Sequence, residues 1–295
     1  MAVATVPVTV RADEGGGTRE RIDVGAPSGG HGRAIGRPGA PFTSTPKGTT
    51  MHVTSQQRLG DGVIEREFVL GEIPGILWTP ASASASAPVP LILLGHPGGL
   101  RRMYPRLVGR ARQAAADGFA AATIELPGKG GRPGSTDAER ARADLRRALE
   151  GDERPTEEII EALILPLVEQ AVPEWQTTMD ALLAIPEVVG PVGYSGGVIA
   201  VGIRLAVVEP RIVAAGLFAG SFVPRSMIEE ARHVTIPLHV LLQWDDEGND
   251  RQRALDLFDT FGSQEKSLHA NMGGHTGVPP FAGEGADGFF VRHLT

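Results

Sequence analysis

A serine between closely spaced glycines is the residue of this chain best suited to act as a nucleophile. Residues 193–197 read Gly-Tyr-Ser-Gly-Gly, a G-x-S-x-G segment centred on Ser195. In such a segment a strand turns sharply into a helix, so that the serine Oγ stands clear at the tip of the turn. The free N–H groups and dipole of the helix that follows favour negative charge. These features suit attack of a hydroxyl on an acyl carbonyl.

The flanking sequence supplies the strand and the helix that this turn requires. Residues 191–194 form a short apolar run, and residues 198–203 are typical of a helix. The chain has 39 glycines, so a chance match is easy and the motif alone is only a hypothesis. The strand–turn–helix context makes the hypothesis much stronger.

A histidine on a late loop is the candidate general base. His275 lies in the Gly-Gly-His-Thr-Gly segment 273–277, after a predicted strand at 267–270. A loop position lets the ring swing toward the serine, and a neutral imidazole can accept the Oγ proton near neutral pH. His269 is a rival, but it falls within the predicted strand, where we expect a structural role.

A carboxylate after the preceding strand could orient this imidazole and stabilise its charged form. The predicted strand 237–242 runs into Gln-Trp-Asp-Asp-Glu at 243–247. We predict Asp246 as the acid and keep Asp245 as the alternative. The order along the chain is then serine, aspartate, histidine.

A second glycine-rich loop could hold the negative charge that develops on the carbonyl oxygen. Residues 95–99 read Gly-His-Pro-Gly-Gly and directly follow an apolar run. Pro97 has no N–H to donate, so the donor must come from a neighbour. We predict the backbone N–H groups of Gly98 and Gly196 as the oxyanion hole, with the His96 side chain supporting the loop.

Alternation of strand-like and helix-like segments must position these loops. Buried strands of a parallel sheet read as continuous apolar runs, and such runs occupy 89–94, 120–124, 191–194, 212–218 and 237–242. Helical stretches lie between them at 103–117, 174–185, 197–208, 250–261 and 282–294. We therefore predict an α/β fold with a mostly parallel central sheet flanked by helices.

An insertion at 130–172 follows the strand that ends near Glu125. It contains two predicted helices, 138–149 and 157–168, and Pro166 is expected to kink or end the second. Ligand sites of open α/β sheets lie at the carboxyl ends of the strands, so the insertion is placed to act as a lid. The alternative is a packed pair of surface helices. The arginine-rich first helix is either a solvated face or a site that recruits a carboxylate.

The ends and the composition of the chain add further expectations. Residues 1–50 are rich in Gly, Pro, Thr and Arg and predict a disordered leader before a domain at 51–295; alternatively, the natural start is Met51. There is no cysteine, so no thiolate nucleophile is present. The net charge of −7 argues against nucleic-acid binding, and no apolar run could span a membrane. We expect a cytoplasmic setting and no metal or cofactor.

These motifs together resemble the α/β-hydrolase superfamily, near its dienelactone-hydrolase-like and serine esterase branches. The resemblance covers about residues 60–295. It is carried by 95–99, 125–130, 193–197, 244–246 and 274–275. The segment 125–130 is similar to the D-x-P-G-H-G loop of the family, with Glu125 and Lys129 as departures. A dienelactone hydrolase would use a cysteine nucleophile, so the resemblance implies a serine esterase.

The expected activity is therefore that of a serine hydrolase with a Ser195, His275 and Asp246 triad. It would cleave a carboxylic ester of a small or medium, largely apolar substrate through an acyl-enzyme. The partner is then a small-molecule ester. A lactonase, thioesterase or amidase on the same triad is the first alternative. A non-catalytic binding protein of the same fold is the second, since fold alone does not establish activity.

Overall fold

The apolar runs of the sequence become the strands of one sheet. The computed structural model describes residues 7–8, 50–279 and 281–295, and within these ranges the sheet has ten strands. The strands are β1 (Pro7–Val8), β2 (Met51–Arg58), β3 (Val63–Leu70), β4 (Ile73–Pro80), β5 (Val89–Gly95), β6 (Ala120–Ile124), β7 (Val188–Gly196), β8 (Ile212–Phe218), β9 (Leu238–Gln243) and β10 (Lys266–Asn271). Their spatial order is β1-β2-β3-β4-β6-β5-β7-β8-β9-β10.

The helices alternate with the strands from β5 onward. They are α1 (Leu100–Ala116), α2 (Thr136–Glu150), α3 (Glu157–Leu183), α4 (Ile199–Val208), α5 (Arg225–Glu230), α6 (Arg251–Thr260) and α7 (Phe281–Leu294). In the spatial order of the sheet, neighbouring strands from β6 to β10 run parallel. Strands β1 to β4 pair antiparallel with one another, and β4 also pairs antiparallel with β6. The predicted α/β fold with a mostly parallel sheet is confirmed.

Helices cover both faces of the sheet. Successive residues of β5 point to opposite faces, and Leu93 and Leu94 accordingly enter two different buried apolar clusters. On the Leu94 face the cluster includes Leu107 of α1 and Phe290 of α7. On the Leu93 face it includes Trp175 of α3. Ser195 lies in β7 of the same parallel set, so it is held by a sheet that is packed on both sides.

The insertion differs from its prediction at its second helix. The helices predicted at 157–168 and 174–185 form one helix, α3, so this helix does not end near residue 172. Pro166 and Pro173 both lie inside it, and each removes one backbone N–H donor. The buried side of α3, which includes Trp175, packs on the sheet. This tertiary packing outweighs the local cost of the prolines.

Capping side chains explain where three helices begin. The side chains of Ser135 and Thr156 accept hydrogen bonds from backbone N–H groups in the first turns of α2 and α3. Asp250 does the same for α6, accepting from the N–H groups of Gln252 and Arg253. Such caps satisfy donors that the helix itself leaves unpaired. Asp250 is therefore a structural residue.

Four strands, β1 to β4, lie upstream of the strand predicted at 89–94. β2 pairs antiparallel with β3, and Pro7 and Val8 of β1 pair with the start of β2. Within the leader predicted at 1–50, the structure describes residues 7, 8 and 50, and the rest lies outside the described residues. Across the described ranges, no helix combines the length and apolarity needed to cross a bilayer.

Candidate active site

The predicted site residues follow the carboxyl ends of neighbouring parallel strands. Ser195 lies near the end of β7, and residue 98 follows β5 on one side of it. Asp246 follows β9 and His275 follows β10 on the other side, beyond β8. Carboxyl ends of parallel strands meet at one edge of a sheet, which is where ligands bind in open α/β folds.

Asp246 and His275 are joined directly. His275 Nδ1 lies 2.7 Å from Asp246 Oδ2, the Asp246 side chain is 2% exposed and the His275 side chain is 45% exposed. The other carboxylate oxygen, Oδ1, accepts a hydrogen bond from the N–H of Gly248 at 3.0 Å. A buried carboxylate held in this way can fix the orientation of the imidazole and leave Nε2 available to take a proton.

The two residues that competed with this pair have other partners. Asp245 Oδ2 accepts a hydrogen bond from the N–H of Gly273 at 3.2 Å, so its carboxylate holds the loop before His275. His269 lies in β10, and its ring stacks on that of His239 with 4.3 Å between ring centroids. The geometry therefore favours Asp246 and His275 as the acid and the base.

Ser195 lies inside β7, one residue before the strand ends, and not at the turn that its motif predicts. Instead of turning at the serine, β7 continues to Gly196, and positive φ angles occur at Gly196 (78°) and Gly197 (80°). Two consecutive glycines adopt this left-handed backbone readily, so the turn is displaced toward α4. The serine is only partly exposed. Its Oγ does not project freely from the tip of a turn.

The outer glycines of the motif are required by close packing. A Cβ on Gly193 would lie 2.8 Å from the Phe290 ring, and a Cβ on Gly197 would lie 2.9 Å from the Cα of Gly95. Such distances are too short for a carbon side chain, so larger residues would push β7 away from α7 and β5. The predicted role of these glycines, close approach of neighbouring backbone, agrees with these contacts.

Ser195 and His275 lie toward the same face of the sheet. Ser195 pairs with Gly216 of β8, and its Oγ is 3.6 Å from the position of a Cβ on Gly216. Phe218 is two residues further along and so points to the same face. The Phe218 and His275 rings meet edge-to-face, with 5.5 Å between centroids. Phe218 thus stands about 6–7 Å beyond the level of Ser195 and contacts the imidazole.

Arg110 is the partner of Ser195 that sequence reasoning missed. Its Nη2 donates to Ser195 Oγ at 2.8 Å and to the Ser195 carbonyl at 2.7 Å, and its Nη1 donates to the Gly95 carbonyl at 3.2 Å. Burial lowers the pKa of Arg110 to about 10, and the negative charge of Asp287 opposes that fall. Within the described residues, no hydrogen bond joins Ser195 to His275.

The sequence pattern of α1 contains a signal that could have singled out Arg110. The buried residues of α1 include Leu107, Ala111 and Ala114, and Arg110 falls on the same helical face as these three. A charged residue within an apolar helix face needs a buried partner, because transferring a charge from water is costly. The helix pattern therefore marks Arg110 as exceptional, but it cannot indicate which atom the guanidinium contacts.

The loop after β5 lies beside the end of β7. Gly95 pairs with Gly196, so the predicted oxyanion donors Gly98 and Gly196 belong to adjacent strand ends. His96 is buried, its Nε2 lies 2.8 Å from the Ile124 carbonyl, and burial lowers its pKa. These contacts suit the structural role expected of His96. The oxyanion hole itself stays a prediction.

Glu125 anchors the first turn of α1. Its two carboxylate oxygens lie 3.0 and 3.2 Å from the N–H of Leu100, and burial raises its pKa. A carboxylate at a helix N-terminus satisfies an unpaired donor and complements the helix dipole. Glu125, one of the two departures from the family loop, is therefore a structural residue in this chain.

Gly130 packs directly against Glu125, and this contact predicts a stability effect. Gly130 has φ 58°, and a Cβ there would lie 2.2 Å from Glu125 Oε2. We expect Gly130→Ala to lower the free energy of unfolding by at least about 1–2 kcal/mol in urea titrations. Gly131→Ala is the matched control, since no atom lies within 4 Å of its Cβ position. Equal stability of the two variants would contradict this packing.

A cavity of about 390 Å³ lies beside the loop that follows Asp246, and residues 247–250 form part of its wall. The insertion contributes Leu149, Pro155 and Ile160 to its wall, and Phe222 and Gly248 line the other side. Gly248 is also the residue whose N–H binds Asp246. The insertion and the loop that carries the acid thus share one concave surface.

Comparisons with known proteins define the class of fold. The chain has the α/β-hydrolase fold, since a cold-adapted esterase from an Arctic intertidal metagenomic library matches it with TM-score 0.59 and 27% identity over 82% of this chain and 98% of that chain. An acetyl xylan esterase from Paenibacillus sp. R4 matches with TM-score 0.61 and 15% identity, over 84% and 90% of the two chains. A dienelactone hydrolase from Anabaena variabilis matches with TM-score 0.50 and 19% identity, over 82% and 99%.

Scans against models of protein families and against curated protein sequences find no match. The likeness to the acetyl xylan esterase and the dienelactone hydrolase concerns the fold alone. The resemblance expected from the motifs is confirmed at the level of the superfamily.

Proposed function

We propose that this protein is a serine hydrolase that cleaves carboxylic esters through an acyl-enzyme on Ser195. The observation that carries the proposal is the buried Asp246 carboxylate bound to the His275 imidazole, on the face of the sheet toward which Ser195 Oγ also points. The cold-adapted esterase that matches at 27% identity supports ester hydrolysis in general.

In the proposed reaction, Ser195 Oγ attacks the ester carbonyl carbon while its proton passes to His275 Nε2. The carbonyl oxygen becomes negative and is held by the N–H groups of Gly98 and Gly196. The C–O bond to the alcohol then breaks, and the alcohol leaves with the proton from His275. Water repeats the sequence on the acyl-enzyme, releasing the acid and restoring the serine hydroxyl.

This mechanism requires Ser195 Oγ and the imidazole to come together in the substrate complex. Catalytic hydrogen bonds often tighten only at that stage. His275 is well placed to move, because its side chain is 45% exposed and its one described carboxylate partner holds only Nδ1.

The volume of the cavity beside the loop that follows Asp246, about 390 Å³, supports a substrate of small or medium size. Its wall combines apolar residues, which include Ile160 of α3, Ile199 of α4 and Phe222, with charged and polar residues, which include Arg154, Asp250 and Arg253. Apolar walls bury the body of a ligand, and polar groups fix its orientation. The α2–α3 insertion then closes one side of the bound substrate, as the predicted lid would.

The arginines of α2 do not require an anionic substrate. Arg140 and Arg147 are 67% and 75% exposed, and they pair with Asp137 and Asp144 on the same helix. Exposed pairs of this type contribute little binding energy and belong to a solvated surface. We therefore assign the positive charge of α2 to the helix surface.

A substrate panel tests the proposed reaction and its alternatives. Initial rates are measured on p-nitrophenyl esters of two to twelve acyl carbons and on matched thioester, lactone and amide substrates. We expect the highest kcat/KM on short or medium esters, because the cavity is small. A preference of more than about tenfold for the thioester, lactone or amide would replace the esterase proposal. No turnover of any substrate would favour a binding protein.

A further inference from the structure

Arg110 connects the two strand ends that carry the predicted nucleophile and the predicted oxyanion loop. The guanidinium Nη1 donates to the carbonyl of Gly95 at the end of β5, and Nη2 donates to the carbonyl of Ser195 in β7. A purely structural clamp that joins β5 to β7 needs only these two contacts with carbonyl groups. The third contact, from Nη2 to the Oγ of Ser195 at 2.8 Å, is with the atom that would react.

The charge of Arg110 is set deep in the protein. Arg110 is only partly exposed to solvent. Burial lowers its pKa to about 10, so the guanidinium is cationic at neutral pH. The negative charge of Asp287 in α7 raises the pKa of Arg110, whereas burial raises the pKa of the Tyr194 hydroxyl in β7 and keeps it neutral. A charge in such surroundings acts strongly on nearby atoms, because little water screens it.

Negative charge develops on Oγ at two points of the proposed reaction. It develops first when His275 removes the hydroxyl proton during attack, and again when Oγ leaves the acyl-enzyme. A fixed N–H donor that already points at this oxygen stabilises both transition states without reorganising. By occupying one lone pair of Oγ, it also leaves the hydroxyl proton free to point toward a base.

We propose that Arg110 is a further catalytic residue, whose guanidinium stabilises negative charge on Ser195 Oγ during acylation and deacylation. The proposal rests on the proposed serine hydrolase function. It differs from an oxyanion hole, because the donor acts on the serine oxygen and not on the substrate carbonyl oxygen.

Three variants separate catalysis from a structural clamp. Arg110→Met removes the charge with similar side-chain length, Arg110→Lys keeps a charge, and Arg110→Ala opens space for an added cation. Arg106→Met is the matched control, because Arg106 lies one turn earlier on α1 and is exposed. Each variant is measured for kcat and KM on the best ester, for the rate of Ser195 phosphonylation by a fluorophosphonate, and for Tm.

We expect Arg110→Met to lower both kcat and the phosphonylation rate by about 10²-fold, with KM little changed. Arg110→Lys should lose less than Arg110→Met. Guanidinium chloride at tens of millimolar should restore part of the activity of Arg110→Ala and leave Arg106→Met unaffected. This rescue is the readout that a purely structural role would not produce.

Two results would overturn the inference. One is an Arg110→Met variant that phosphonylates Ser195 as fast as the unchanged protein. The other is a loss of rate that follows the loss of folded protein, with no rescue of Arg110→Ala by guanidinium. Either leaves the proposed function intact, whereas failure of the unchanged protein to react at Ser195 would contradict the function itself.

Discussion

Replacing Ser195 by alanine is expected to lower kcat on the best ester by about 10⁴- to 10⁶-fold, with the folded structure retained. The variant removes the only atom proposed to form a covalent bond with the acyl group. The backbone carbonyl of residue 195 still accepts the 2.7 Å hydrogen bond from Arg110, so β7 remains joined to α1. Steady-state kinetics on purified variants, with circular dichroism to confirm folding, measure the effect.

Ser82→Ala is the control for this variant, since Ser82 is exposed in the loop between β4 and β5. Its kcat should match that of the unchanged protein. If Ser195→Ala kept more than about a tenth of the original kcat, the nucleophile would have to be another group, and the mechanism derived from the β7 site would fail.

Replacing Asp246 by asparagine is expected to lower kcat by about 10⁴-fold, whereas Asp245→Asn should change kcat by only a few-fold. Asparagine keeps the size of the side chain but cannot stabilise the imidazolium that forms when His275 takes the proton. Asp246 binds His275 at 2.7 Å, while Asp245 binds the backbone N–H of Gly273. The two variants differ by one position in the chain and act as controls for each other.

Kinetics on both variants, with urea titrations to compare their free energies of unfolding, decide between the two carboxylates. The account predicts a large kcat difference that stability does not explain. A larger loss for Asp245→Asn than for Asp246→Asn would assign the acid to the other residue and would make the pair seen in the structure incidental.

The fold could be predicted from the sequence because its central parallel strands are buried on both faces. The runs at 120–124 and 212–218 coincide with β6 and β8, since such strands need apolar residues at every position. The continuous helix α3 could not be predicted in the same way. Pro166 and Pro173 are local signals against a helix, and the packing that overrides them depends on distant residues.

The site could be predicted only in part. The order of serine, aspartate and histidine follows from motifs that lie after strands, but the choice between Asp245 and Asp246 depends on side-chain directions in a loop. The level of Ser195 in β7 depends on which glycine of the motif takes a positive φ. Arg110 lies 85 positions away from the serine, so their contact requires the three-dimensional structure.

Mapping the site of fluorophosphonate labelling by mass spectrometry tests the central claim most directly. The reagent reacts only with a serine that a neighbouring base activates, and digestion identifies the modified residue. We predict one adduct, on the peptide that contains Ser195, with no labelling of Ser195→Ala and much slower labelling of His275→Ala. Absence of an adduct from a folded protein, or its formation at another serine, would contradict the account.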